Sequence, residues 1–478
     1  MAPHGRATAD RAGALPQARG PGRRAGGGHR GRQGPRGQLR AAAGLGGDAR
    51  RPAAGRASLR HRLTSVPGER RFPDGFLWGC ATAAHQVEGG NHNSDWWEFE
   101  RRGGIHTGDS ADPACDQYRR FREDFALLGR LHNNAHRLSI EWSRVEPAPG
   151  QFDRAQIEHY REVLAELRAQ GMTPMVTLHH FTSPLWFSER GGWAASGAVE
   201  AWLPFVRRVA EELGELVGLW CTINEPNIYA YQGWVAGEFP PGRRGDLLGV
   251  FRVLGNLRRA HEAACRELRR LTPVVPVGLA QHRWLMIPAN ERRRLDRFAA
   301  GTAAFFMDRW PVGPGRWSPV VEAAGDYVGL NHYTGSRVEF SARHAGEGFA
   351  RRSNPPGLPE SDFGWAVRPR WLRDCVEALR PLGRPVYVTE NGIASRDDRA
   401  RVEYLRGVLG ELWEAIQAGA DVRGYFHWSS HDNFEWAHGY SMRFGLIEVD
   451  LETQRRTVKP SGELFARIAA ANALPAAD

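Results

Sequence analysis

Lysine is almost missing. Of the 64 basic residues in the 478-residue chain, only Lys459 is a lysine and the rest are arginine. Such one-sided usage reads as a base-composition bias of the source genome rather than as a designed binding surface. The formal charge of +10 also shrinks when it is divided along the chain. Residues 1–71 hold 16 Arg against 3 acids, a net +13, which leaves −3 for residues 72–478. A basic arm can attract RNA or an anionic membrane, but the body is nearly neutral and carries no such signal. The first 71 residues also hold few large apolar side chains. They are rich in Gly, Ala, Arg and Pro, so burial cannot offset their ordering entropy, and a disordered tail without a catalytic role is expected.

Cysteine is scarce as well. Cys80, Cys115, Cys221, Cys265 and Cys375 form no close pair, and their odd number fits free thiols in a reducing compartment. With no secretory signal, the cytoplasm is the expected location. The twin Arg23-Arg24 precedes no apolar segment, and no run is long enough to span a bilayer. No spacing matches a zinc motif. His179 and His180 come nearest, but adjacent residues on a strand point to opposite faces. Neither a metal nor a cofactor is expected.

What the body does contain is a rhythm. From residue 72 onward, eight short β-like runs alternate with longer helical patterns: 76–84, 134–142, 173–181, 219–225, 274–282, 326–333, 385–390 and 422–428. Between them, apolar residues recur at spacings of three and four, as in Ile157, Tyr160, Val163, Leu164 and Leu167, or Tyr404, Leu405, Val408, Leu409 and Leu412. Gly171 and Gly419 follow these two stretches as stop signals. Eight alternations predict an α/β fold, a (β/α)8 TIM barrel over residues 72–470 preceded by the tail of residues 1–71.

Most runs end in residues that a purely structural strand would avoid: Gln86 just beyond the first, then Arg137 with Glu141, His180, Asn224 with Glu225, His282, Asn331 with Tyr333, Glu390, and Trp428. Singly, each has an ordinary structural reading as an ion-pair partner, a core histidine or a cap. Together they fall where such barrels carry their active sites. Glu225 and Glu390 are the most telling. Each breaks an apolar run into a polar, turn-forming tail, and two carboxylates at buried strand ends suggest acid/base and nucleophilic work on one substrate. Glycosidic bond cleavage is chemistry of that kind.

These residues resemble the family 1 glycoside hydrolases, the β-glucosidase and β-galactosidase group, from Phe72 to about Ile468. Four motifs carry the resemblance in order: Phe72-Pro-Asp-Gly-Phe-Leu-Trp-Gly-Cys-Ala-Thr82, Asn224-Glu-Pro-Asn227, Thr389-Glu-Asn-Gly392 and Trp428-Ser-Ser-His-Asp-Asn-Phe-Glu-Trp436. The resemblance implies that Glu390 attacks the anomeric carbon while Glu225 protonates the leaving oxygen and later deprotonates water. Retention of configuration follows, with carboxyl oxygens about 5–5.5 Å apart. Arg137 and Tyr333, standing as the family's Arg and Tyr, would keep Glu390 ionised. For binding the sugar and its leaving group, the resemblance implies Gln86, His180, Asn224, Asn331, Trp365, Trp428, Glu435, Trp436 and Phe444. Glu435-Trp436 stands where members that take 6-phosphorylated sugars carry Ser, Lys and Tyr, so an unphosphorylated β-glycoside or oligosaccharide is the expected partner.

Some positions depart from the pattern: Phe181-Thr182 replaces the usual Trp-Asp, and His85 and His332 each replace a Tyr. Fine specificity among glucoside, galactoside and fucoside stays open, as does the oligomeric state. Two other readings also stay open here. A transglycosidase would use the same glycosyl-enzyme, and a sugar-binding barrel would bind without turnover.

Overall fold

Each of the eight β-like runs forms a strand, and the strands close into one parallel barrel. They are β1 (Leu77–Ala81), β2 (Ala135–Ser139), β3 (Thr173–His179), β4 (Leu219–Asn224), β5 (Val277–His282), β6 (Tyr327–Asn331), β7 (Val386–Asn391) and β8 (Val422–Trp428). Every strand pairs with its sequence neighbour and β8 pairs with β1, so no strand edge is left open. The computed structural model describes residues 69–305 and 325–475. The disorder expected of the N-terminal tail falls on residues outside the described ones, apart from the last few.

The strands are buried almost throughout, as parallel strands covered on both faces must be. Among the described residues, a longer helix follows each one: α1 (Gln117–Arg130), α2 (Arg154–Ala169), α3 (Ala198–Leu213), α4 (Leu247–Leu271), α5 (Arg294–Ala304), α6 (Arg370–Leu379), α7 (Asp398–Gln417) and α8 (Pro460–Ala471). The apolar stripes read from sequence are the buried faces of α2 and α7. Gly171 and Gly419 lie just past their ends at φ +77° and +92°, where a side chain would be strained. None of the described helices is long and apolar enough to cross a membrane.

Five runs stop short of their expected ends: those at 173–181, 219–225 and 326–333 by one or two residues, and the first two by three. β1 ends at Ala81 and residues 84–87 turn helical; β2 ends at Ser139, and Trp142–Val145 forms a helical turn capped by the Glu141 side chain on the Ser143 amide. Apolar and aromatic residues extended both patterns, but local hydrogen bonds ended the strands: Ser139 Oγ accepts from the Ala84 amide at 2.8 Å.

A small three-stranded sheet stands apart from the barrel. Leu285–Pro288, Gly335–Phe340 and Ala350–Ser353 form it, with α5 packing Ala299, Ala300 and Ala303 against Val338 and Ala350. Arg70–Arg71 pairs antiparallel with Ala473–Leu474, so residues just before the expected domain boundary at 72 belong to the described fold.

Candidate active site

Register brings the strand ends together. β6 and β7 pair Asn331 with Glu390, and β5 and β6 pair His282 with Asn331. Parallel alignment of all eight strands gathers these C-terminal residues on one rim, around a cavity of about 410 Å³. Of the expected residues, His180, Asn224, Glu225, Tyr333, Trp365, Glu390, Trp428, Glu435, Trp436 and Phe444 line it. Arg137, Asn331 and Gln86 do not; they stand behind the lining and bond to it.

Glu390 faces two donors. Arg137 Nη1 makes a short ion pair with Oε1, and the Tyr333 hydroxyl donates to Oε2 at 2.7 Å. Arg137 is fully buried and spends its other hydrogens on Thr177 Oγ1 at 3.1 Å and Asn224 Oδ1 at 2.6 Å. Burial pushes the Glu390 carboxyl up to about 7; Arg137 opposes this and Glu225 adds to it. Burial, then the Glu390 charge, hold the Tyr333 phenol well above its ordinary range, so it remains a donor.

The motif around Glu390 is explained by its neighbours. Thr389 Oγ1 donates to Asn331 Oδ1 at 2.7 Å, and Asn391 Nδ2 donates to the His332 carbonyl at 2.6 Å. Gly392 has no room for a side chain: a Cβ there would lie 2.1 Å from the Trp428 carbonyl oxygen.

Glu225 has different surroundings. Asn331 Nδ2 donates to its Oε1 at 2.7 Å, and His282 Nδ1 lies 3.1 Å from the same oxygen. Both contacts fall on Oε1. The residue sits at φ +42°, just ahead of a helical turn that opens with Pro226, and its amide is held by the Ala280 carbonyl at 2.8 Å. Phe181 and Trp436 also have positive φ, +69° and +50°. Three non-glycine residues in this region around one cavity mark backbone strain, at about 1–3 kcal/mol each, concentrated at the site.

Asn224 organises a second group on the cavity wall. Because its Oδ1 accepts from Arg137 and Asn331, its amide nitrogen is fixed toward His180 Nε2, at 3.1 Å. His180 is therefore neutral with its proton on Nδ1, which is buried without a partner. Burial, reinforced by Arg137, holds this imidazole well below its ordinary range. Its neighbour His179 points the opposite way and accepts from Trp193 Nε1 at 2.9 Å. The adjacent pair is thus split across the two strand faces, as alternation requires.

The loop after β8 supplies the rest. Gln86 Nε2 donates to the Phe434 carbonyl at 2.7 Å and lies 3.4 Å from Glu435 Oε2, while its Oε1 is buried and unpartnered. Burial pushes Glu435 up to about 8, against hydrogen bonds from Trp428 and Gln86. The Trp436 indole runs nearly parallel to the rings of His85 and His180, with centroids 6.0 Å from each. His85, at the position of a usual Tyr, thus packs beside the indole and is itself held by Glu100 at 2.8 Å. Thr182 does not line the cavity; it donates to Glu141 at 2.8 Å. Phe181 does line it.

Lys459 braces this loop. Its ammonium reaches both Asp432 oxygens, at 2.8 and 2.7 Å, and the Gly445 carbonyl at 2.9 Å, next to Phe444. The sequence reading places His282 at a strand end without a role. Two further cavity-lining residues escaped the sequence reading: Arg352 comes from the side sheet and Trp284 from the link that leads into it, which no barrel periodicity announces.

The profile of glycosyl hydrolase family 1 matches residues 68–319 and 316–474. Beta-glucosidase A of Thermotoga maritima is 33% identical over 446 residues, covering 85% of this chain and 99% of that protein. A bifunctional beta-D-glucosidase/beta-D-fucosidase of Bifidobacterium breve is 33% identical over 84% of this chain and 98% of its own. Among solved structures, a beta-glycosidase from Pyrococcus horikoshii superposes with a TM-score of 0.78 at 35% identity, covering 85% of this chain and 96% of that one. The Thermotoga maritima beta-glucosidase in complex with glucoimidazole gives 0.80 at 32% identity, over 84% of this chain and 99% of that one. With this agreement across the whole barrel, and with two buried carboxyls facing one cavity, the chain belongs to glycosyl hydrolase family 1 and is a β-glycosidase.

Proposed function

We propose that the chain removes terminal, unphosphorylated β-D-glycosyl residues, glucosyl first, by double displacement with retention. One observation carries the reading: two buried glutamates share a cavity but have opposite hydrogen-bonding surroundings. Glu390 accepts from a guanidinium and a phenol, which favour its anion. Glu225 has both contacts on Oε1, which leaves Oε2 to carry a proton toward the leaving oxygen. Burial and the neighbouring Glu225 disfavour the Glu390 anion, and Arg137 and Tyr333 oppose them. The first step requires Glu390 as the anion and Glu225 as the acid.

In the first step the Glu390 carboxylate forms a bond to the anomeric carbon as the glycosidic bond breaks, and Glu225 gives its proton to the departing oxygen. Esterified Glu390 has lost its charge. Glu225, now an anion without an anionic neighbour, takes a proton from water, whose oxygen displaces Glu390 and releases the sugar. His180 Nδ1 and Gln86 Oε1 are buried groups with open hydrogen-bonding capacity that suit adjacent hydroxyls. The Trp436 indole offers a flat apolar face to the pyranose. The name of the Bifidobacterium relative supports a glycone site that also admits fucosides. This chemistry is assigned to the barrel domain, without a role for the N-terminal tail.

The test is the anomer released first from an aryl β-glucoside, read by proton NMR before mutarotation. The β-anomer is expected, and the α-anomer first would refute the mechanism. In parallel, Glu390→Gln should abolish turnover, and Glu225→Gln should spare activated aryl glucosides relative to alkyl ones by roughly 100-fold or more. Equal damage on both substrates would remove Glu225 from the acid role.

A further inference from the structure

The outer wall of the cavity carries a cation with no partner among the described residues. Arg352, half-buried on the strand Ala350–Ser353, lines the same cavity as Trp284, Phe363 and Trp365. Buried guanidinium groups elsewhere are matched to acids: Arg137 to Glu390, Arg144 to Glu88, Arg401 to Asp398 and Arg456 to Asp124. The side chain of Arg352 makes neither an ion pair nor a hydrogen bond among the described residues, and its Nε is buried without an acceptor. Such a donor costs stability unless something else satisfies it. The acid on the same cavity wall is not available, since Glu238 is taken by His106 at 2.6 Å.

The surroundings say what the missing acceptor is attached to. Phe363 and Trp365 stack face to face, 4.2 Å between centroids at 11°, and Trp284 meets Trp365 edge-on at 5.6 Å. A flat apolar group fits against such a surface. The hydroxyl-binding groups Glu435, His180 and Asn224 belong to the glycone side, so what lies near Arg352 is the leaving group.

We propose that Arg352 is a specificity residue for aryl aglycones bearing a carboxylate, so that the preferred substrates are β-glycosides of phenolic acids. This rests on the glycone and acid/base assignment above. The planar ring lies along Trp365 and the carboxylate meets the guanidinium, where a two-pronged contact is geometrically favoured. No bond is made or broken at Arg352; it acts through binding of the leaving group before and during its departure.

The experiment compares two matched substrates, the meta-carboxyphenyl and meta-carbamoylphenyl β-glucosides, whose phenols are nearly equal leaving groups. The wild-type enzyme should show kcat/KM roughly 10–100-fold higher for the carboxylate, mostly through KM, with the preference shrinking as ionic strength rises. In Arg352→Gln the preference should vanish while the carbamoyl substrate keeps its kcat/KM within about twofold, and Arg352→Lys should restore part of it. The wild-type comparison decides the matter even if a variant folds poorly. No carboxylate preference in the wild type, or equal loss on both substrates in a folded Gln variant, would overturn the proposal. If the neutral substrate were not cleaved at all, the assignment of Glu225 and Glu390 would fall first and this inference with it.

Discussion

Removing one oxygen from Tyr333 isolates the control of Glu390. Tyr333→Phe keeps the ring contacts with His282 at 5.8 Å, Trp365 at 6.0 Å and Phe444 at 5.9 Å, and deletes only the 2.7 Å hydrogen bond to Glu390 Oε2. That bond stabilises the carboxylate and not the acid. A hydrogen bond to a charged group contributes about 1.5–3 kcal/mol. At about 1.4 kcal/mol per unit, its loss raises the proton affinity of Glu390 by roughly one to two units above the present value near 7. Since attack requires the anion, the acid limb of kcat/KM, which follows the free enzyme, must move to higher pH. Below neutrality the variant should lose roughly 10–100-fold more activity than on its alkaline plateau. The plateau also drops, because Arg137 alone then orients the nucleophile. The assay is a stopped measurement of kcat/KM for an aryl glucoside between pH 4 and about 9. An acid limb that stays in place, or shifts downward, would show that Tyr333 positions Glu390 without tuning it.

Three further outcomes follow from the same geometry. Lys459→Met breaks a largely buried ion pair and leaves Asp432 uncompensated, at a cost of about 3–5 kcal/mol; it should lower the melting temperature by several degrees and impair glycone binding through the Trp428–Trp436 loop. Lys459→Arg should fail to restore either property, and a variant that melts like the wild type would contradict the tripod argument. Gly392→Ala forces a Cβ toward the Trp428 carbonyl, backbone against backbone, so activity should fall by an order of magnitude or more even if the barrel folds; an unimpaired variant counts against that close approach. Deleting residues 1–68 should change neither melting temperature nor kcat/KM beyond about twofold, because the described fold begins where Arg70–Arg71 pairs with Ala473–Leu474.

What the sequence disclosed and what it hid divide along a physical line. The eight strands were legible because a parallel strand covered on both faces is a continuous apolar run, and the motif residues were legible because each interrupts such a run with a group that is costly to bury. Contacts made by residues distant in sequence left no such mark. Nothing in the periodicity says that Asn331 bonds to Asn224 and Glu225 together, that His282 lies against Glu225, or that a side sheet and the link leading into it deliver Arg352 and Trp284 to the cavity.

The lone lysine shows how composition can conceal function. Read along the chain, Lys459 is the exception in a bias toward arginine, and the bias is a genomic property that needs no structural cause. Read in space, it occupies a site where three acceptors from two segments converge on one point. A planar guanidinium spreads its donors over a fork and cannot meet that arrangement, whereas a compact ammonium with three rotatable hydrogens can. An exception that persists against a strong compositional trend is therefore informative where its neighbours demand the exceptional chemistry. Here they do, since Asp432 lies in the loop that presents Trp428, Glu435 and Trp436, and Gly445 adjoins Phe444. On the proposed reading, specificity toward the sugar depends on a charge pair that lies outside the cavity lining.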